Sequence, residues 1–327
     1  MTVELARDVA PDVMGQARAA RAAQPEWART ALPRRAAVLE AAARGLAGGA
    51  AAMAEALVAA TRRPGAAIWS AELIPTLDAL RWLARRGPRE LASRPLRRSR
   101  LQWYFRATGH TLRWEPHGLV GIVTPGNAPL FLGLPQVAAA VLAGNAVLWK
   151  PAPSGTAAAL DAAALLGRAG LPPALLQIVP GGAEAARSLV EAGVDKLCFT
   201  GGSAAGLELY RAQAGRGRPA VLELSGRHAA VVLADADLDL AARGIAWAKL
   251  ENGGRNCVSV QLVLVARAVA PALINRLRRA LDEAGAHVTP PDAADAGRLA
   301  SLAADAVAAG ARAIAGRAPV ILLTDVA

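Results

Sequence analysis

Along residues 13–62, alanine, leucine and valine recur at the three- and four-residue spacing of a single helix face, with Pro33 placed where a helix can begin. A second helical pattern covers about 68–86. The texture changes over 93–113, where apolar residues alternate with polar ones around Thr108-Gly109-His110, as in a hairpin. From Leu119 onward short apolar runs alternate with Ala-rich stretches. The runs at 119–123, 146–149, 175–179, 196–199, 220–224 and 229–233 predict buried strands; 135–142, 156–168, 183–192 and 206–214 predict helices between them. Strand–helix alternation of this kind predicts an α/β fold with a mostly parallel sheet covered on both faces.

Composition narrows the function classes. With 327 residues, 54% of them hydrophobic and 19% charged, the chain holds enough apolar material for about two domains and is not intrinsically disordered. The net charge of +11 comes almost wholly from arginine; only Lys150, Lys196 and Lys249 are lysine. That bias is what a genome-wide coding preference produces, so no nucleic-acid partner is expected. Five arginines of this stretch (Arg94, Arg97, Arg98, Arg100 and Arg106) read as the charge that keeps an edge hairpin soluble. Two cysteines form no disulfide framework and point to a reducing compartment. The first 27 residues carry charges throughout and no apolar core of a signal peptide, so a cytoplasmic location is expected. The uncharged stretch 118–149 is interrupted by Pro125, Asn127, Pro129 and Pro135, which predicts strand, loop and helix and no membrane span.

Few residues carry chemistry. Cys257 follows Gly253-Gly254 in a loop after a helix at about 238–250, with Arg255 near enough to favour a thiolate; Cys198 sits in an apolar strand and reads as structural. Glu223 lies inside the apolar VLELSG. A buried acid there is either a general base with a tuned pKa or half of an ion pair with an arginine. Asn127 lies in the turn TPGNAP, and Lys150 ends a buried strand. Thr200, Gly201, Gly202 and Ser203 follow a strand and open a helix, a plausible seat for pyrophosphate or a plain helix cap.

Taken together, GIVTPGNAPL (121–130) with GNAVLWKP (144–151), CFTGGSAAG (198–206), AVLELSGRHAAVVLADADLDL (220–240) and NGGRNC (252–257) resemble, in order and spacing, successive motifs of the aldehyde dehydrogenase superfamily. The similarity runs from about Trp27 to the last residue. It implies a Rossmann-type parallel-sheet cofactor domain over 1–225, with a hairpin projecting at about 93–116, and an incomplete α/β catalytic domain over 226–327. By resemblance Cys257 is the nucleophile, Asn127 the oxyanion donor and Glu223 the group that activates water. Lys150 would hold ribose hydroxyls, and Thr124, Pro125, Thr200, Gly201, Ser203 and Leu224 would complete the site for NAD or NADP, with no metal. The implied reaction oxidises a small-molecule aldehyde to the acid through a cysteine thiohemiacetal and thioester. The alternatives are a non-catalytic or partner-completed homologue acting in binding or assembly, and a coenzyme A-acylating dehydrogenase. A homo-oligomer or a completing chain is the expected macromolecular partner.

Four departures qualify the resemblance. Pro153 stands three residues after Lys150, where an acid often binds the ribose diol. NADP is therefore open beside NAD, with Ser154 and Arg168 as phosphate contacts. Gly126 replaces an aromatic before Asn127, and Ser225-Gly226 replaces a double glycine. The last nine residues, PVILLTDVA, resemble a segment mid-way through the family's catalytic domain. The expectation is thus a shortened member without the later ribose contact, substrate loops and oligomerisation strand.

Overall fold

The computed structural model describes residues 12–96, 102–105, 108–285, 293–313 and 322–323. Three helices come first, α1 (Val13–Arg29), α2 (Leu32–Gly48) and α3 (Ala50–Thr61). The Asp12 carboxylate caps α1 by accepting the Gly15 N–H at 2.7 Å. Pro33 occupies the first turn of α2, where a missing N–H removes no helical bond. The face of α2 that carries Val38, Leu39, Ala42, Ala43 and Leu46 is buried, as its spacing requires. The second helical pattern is α4 (Gly65–Ile68), a π-helical turn at Trp69–Leu73 and α5 (Ile74–Glu90). A short antiparallel pair, β1 (Arg94–Pro95) with β2 (Thr111–Leu112), stands where the hairpin is predicted. Arg97, Arg98, Arg100 and Arg106 lie outside the described residues.

The central sheet is built by β3 (Leu119–Val123), α6 (Leu134–Leu142), β4 (Ala146–Lys150), α7 (Thr156–Arg168), β5 (Leu176–Ile178), α8 (Ala183–Glu191), β6 (Lys196–Thr200), α9 (Ser203–Ala214) and β7 (Ala220–Glu223). Its strand order is β5-β4-β3-β6-β7, and every neighbouring pair is parallel. β3 and β4 are buried at all five positions each, because strands and helices cover them on every side. β7 differs from its prediction. As an edge strand it alternates half-buried Ala220 and Leu222 with exposed Val221 and Glu223. Residues 118–149 form β3, a turn, α6 and β4. Among the described residues, no helix is long and apolar enough to cross a membrane.

Contacts divide the chain into two compact units, Met1–Thr61 with Ile68–Leu224, and Arg62–Ala67 with Ser225–Ala327. The predicted strand at 229–233 corresponds to β8 (His228–Val232), but it does not join the five-stranded sheet. After α10 (Leu238–Leu250) it pairs in parallel with β9 (Val260–Val265) in a separate sheet. The alternation rule detects a strand and is silent about its partner. α11 (Ala270–Gly285) and α12 (Ala293–Ala308) follow, then the short pair β10 (Arg312–Ala313) and β11 (Leu322–Leu323). The second unit has its own apolar core of Val232, Ala242, Ile245, Ala246, Leu273 and Leu277.

Candidate active site

The chain builds β3, then β4 and β5 to one side, then returns to place β6 on the other side of β3. Between β3 and β6 the direction of winding reverses. In open α/β sheets, ligands bind beyond the carboxyl ends of the strands at such a switch point. The loops leaving that edge are the segments with unusual sequence. Register sets Val123 against both Lys150 and Phe199, and Thr200 against Glu223. Lys150, the turn after Val123, Thr200 and Glu223 therefore stand along one edge of one sheet.

Lys150 is 7% exposed, and among the described residues nothing accepts a hydrogen bond from its ammonium. Burial pushes its pKa below the ordinary lysine value. A buried charge without a partner is costly, so this position is poised for an oxygen-bearing ligand. Beside it, the turn after Val123 is tightly anchored. The buried Thr124 hydroxyl accepts the Trp149 indole N–H at 2.9 Å, and the Thr124 N–H donates to the Lys150 carbonyl at 3.1 Å. A Cβ on Gly126 would stand 2.5 Å from Ser154 Oγ and 3.3 Å from Ala152 Cβ, so this turn has no room for an aromatic before Asn127. Pro125 and Asn127 are half-buried in the same turn.

Gly201 donates its N–H to the Glu223 carbonyl at 3.0 Å, tying the Thr200–Ser203 turn to β7. Ser203 is the first residue of α9, Gly202 is its N-cap, and no side chain caps the helix. Nothing lies within 4 Å of the position a Cβ on Gly202 would take, so open space faces a helix N-terminus. Leu224 packs against Gly206, 2.4 Å from its Cβ position, and holds the start of α9 against β7. Sequence reasoning missed Gln136. Its side-chain amide donates to the Leu132 carbonyl at 2.6 Å and to Thr200 Oγ1 at 3.4 Å, joining α6 to this turn. A glutamine on an Ala-rich helix gives no sequence signal of that role.

Two expectations need correction. Glu223 is exposed and not buried, because β7 is an edge strand and Glu223 falls on its open phase. Arg168 cannot share a phosphate with Ser154. Arg168 ends α7 while Ser154 precedes its first turn, about 18 Å away along a helix rising 1.5 Å per residue.

In the second unit, Cys257 is exposed in the turn that follows α10. Asp237 caps the start of α10 by accepting the Asp239 and Leu240 N–H groups, both at 3.0 Å. The helix is then broken by three successive left-handed residues, Asn252 (φ 54°), Gly253 (φ 65°) and Gly254 (φ 72°). Only the glycines adopt this conformation without strain; a buried asparagine there is a conformational cost of the kind that clusters at functional loops. The Asn252 amide donates to Asn256 Oδ1 at 2.9 Å, and the Asn256 amide donates to the Glu251 carboxylate, so polar side chains brace the segment before Cys257. Cys198, on β6, is half-buried, and burial raises its thiol pKa, the reverse of what a nucleophile needs.

The winding of the sheet and the loops at its carboxyl edge define a doubly wound α/β protein of the Rossmann type. The family model described as "Aldehyde dehydrogenase family" matches residues 2–320, and the chain belongs to that family. It is similar to geranial dehydrogenase of Castellaniella defragrans, 42% identical over 163 residues that cover 48% of this chain and 34% of that enzyme. Among solved structures it resembles a Mycobacterium tuberculosis aldehyde dehydrogenase complexed with NAD+, with a TM-score of 0.85 and 29% identity over 94% of this chain and 65% of that one. It also resembles the NADP-dependent glyceraldehyde-3-phosphate dehydrogenase of Bacillus halodurans C-125 complexed with NADP (TM-score 0.87, 27% identity, 96% and 69% of the two chains). The chain thus matches about a third of the length of that curated relative and about two thirds of these solved chains.

Proposed function

We propose that this chain carries NAD(P)-dependent oxidation of an aldehyde to a carboxylic acid, with the sheet-bearing unit holding the dinucleotide and the second unit supplying the nucleophile. The observation that carries the reading is the unpartnered Lys150 ammonium at the carboxyl edge of β4, on the same edge as the uncapped N-terminus of α9. A lysine donates readily to ribose hydroxyls, and free N–H groups at a helix start suit phosphate oxygens, so the residues fit a dinucleotide. The solved relatives bound to NAD+ and to NADP support either cofactor.

In this reading the Cys257 thiolate attacks the carbonyl carbon, and the electron pair of the C=O bond moves to oxygen. The Asn127 side-chain N–H and the Cys257 backbone N–H donate to that oxyanion, a type of contact that contributes about 3–4 kcal/mol to lowering the barrier. When bound, the nicotinamide would supply a hydride acceptor for oxidation of the Cys257 adduct. Glu223, exposed at the end of β7, takes a proton from the water that attacks the thioester, and Cys257 leaves as thiolate.

The test compares p-nitrophenyl acetate hydrolysis and aldehyde-dependent NAD(P)H formation in the wild type and in Cys257→Ala. Hydrolysis is expected to fall by about a thousandfold or more in the variant, and NAD(P)H formation to vanish. Esterase activity that survives Cys257→Ala removes the nucleophile assignment.

A further inference from the structure

We infer that Glu72 is a positioning residue for the turn that carries Asn127; the inference rests on the oxyanion role proposed above. Glu72 lies in the π-helical turn Trp69–Leu73 and is completely buried, between the fully buried Ile68 and Leu73. One of its carboxylate oxygens, Oε2, accepts both the Leu130 N–H and the Phe131 N–H, each at 3.0 Å. These donors open a helical turn whose next N–H groups are satisfied by its own backbone: Leu132 donates to the Ala128 carbonyl at 2.9 Å and Leu134 to the Leu130 carbonyl at 2.9 Å. Glu72 therefore acts as a helix cap delivered from 58 residues away. A carboxylate suits the positive end of a helical turn, and charge-assisted hydrogen bonds are the stronger kind.

Asn127 sits between two anchors. On one side Gly126 is packed against Ser154 and Ala152; on the other, three residues on, Leu130 is completely buried and held by Glu72. The π-helical turn helps deliver the carboxylate, since one residue more per turn resets helix phase by about 100°. A buried carboxylate is a costly choice for packing alone. Part of what it does there is to hold two backbone N–H groups of the segment that carries Asn127. Misplacing a reacting group by about 1 Å can reduce a rate a hundredfold, so a loosened anchor at Leu130 is felt at Asn127.

The experiment is a double-mutant cycle of Glu72→Gln and Asn127→Ala, read as p-nitrophenyl acetate hydrolysis, with amide hydrogen exchange of the Glu72→Gln protein. Glu72→Gln is expected to lower kcat by about 10- to 100-fold with KM changed less than about threefold, and to have no added effect in the Asn127→Ala background. Exchange over 124–134 should rise by about tenfold, with β3 and β4 unchanged. Additive effects in the cycle, or exchange that is unchanged or rises everywhere, overturn the inference. Loss of activity by Glu72→Gln but not by Asn127→Ala sinks the oxyanion reading instead, while the exchange result still reports on the turn. If Glu72→Gln does not fold, Glu72→Asp enters the same cycle; failure of both to fold makes Glu72 a stability residue and also overturns the proposal.

Discussion

The two edges of the five-stranded sheet treat polar groups in opposite ways. At the edge where strands begin, the protein pairs Asp195, Arg21 and Arg218 itself, although Gln213 Oε1 there is buried without a hydrogen-bond partner. The Asp195 carboxylate accepts the Leu119 N–H at 2.8 Å and the Arg21 guanidinium at 2.7 Å, and Arg21 also reaches the Gly193 carbonyl. Gln213 and Arg218 both donate to the Val194 carbonyl, at 3.0 and 3.1 Å. Burial works against the Asp195 charge, yet the Arg21 and Leu119 hydrogen bonds outweigh it and hold its pKa below the ordinary value. At the edge where strands end, Lys150 is more deeply buried and has no partner among the described residues, and α9 starts uncapped. Groups that a fold satisfies itself are structure. A buried charge left unsatisfied on the edge where α/β sheets bind ligands is the mark of a site.

Substitutions on each edge sharpen or break this contrast, and the largest effect is expected at the turn after β3. Asn127→Ala should slow p-nitrophenyl acetate hydrolysis by about 100- to 1,000-fold while changing the melting temperature little, since a turn asparagine contributes to the barrier and not to the core. A drop in Tm that explains the rate loss would place this turn with the structural edge. Next comes Asp195→Ala, which leaves the Leu119 N–H without its acceptor and should destabilise the protein by about 2 kcal/mol, with no effect on dinucleotide affinity. The half-exposed Arg21 pair adds little to that figure. Because the folded pKa lies below the ordinary aspartate value of 3.8, the contribution of Asp195 is complete above it and is lost as pH falls through the folded pKa. The stability gap between wild type and variant should be constant from about pH 5 to 8 and close in stronger acid, as urea melts across that range will report.

Lys150→Met reverses the pattern. Dinucleotide affinity by titration calorimetry should fall at least about tenfold, whereas the ligand-free protein should gain about 1 kcal/mol, a rise of about 2–4 °C in Tm, because a buried uncompensated charge is replaced by an apolar chain of similar length. The folded pKa is lowered, so the cost of the wild-type lysine is present in full below that value and fades as pH rises toward 10.5. A Tm that falls instead would show that the ammonium stabilises the fold. The smallest effect is expected from Gly202→Ala. Its Cβ meets open space, so stability should change by less than about 0.5 kcal/mol, while affinity for the dinucleotide drops if phosphate approaches there.

Local pattern and long-range pairing divided the work of specifying this molecule. The residue spacing alone marks β3, β4, β6, α7 and α10, because burial on one helix face or on both faces of a strand leaves a period in the chain. The motifs at Asn127, Lys150 and Thr200–Ser203 are legible for a related reason: turns and helix starts restrict residue type within four or five positions. Sequence could not supply the order β5-β4-β3-β6-β7, which puts those three loops on one edge. Nor could it show that β7 is an edge strand that exposes Glu223, or that β8 pairs with β9 in its own sheet. Glu72 was invisible for the plainest reason. Its two hydrogen bonds span 58 and 59 residues, and no spacing rule reaches that far. What the chain determined by itself was the identity of its elements and the chemistry of its loops, since both are short-range consequences of shape and polarity. Which side chains share an edge, and which buried charge is left without a partner, was decided only when the sheet assembled, because burial and pairing are properties of neighbours in space.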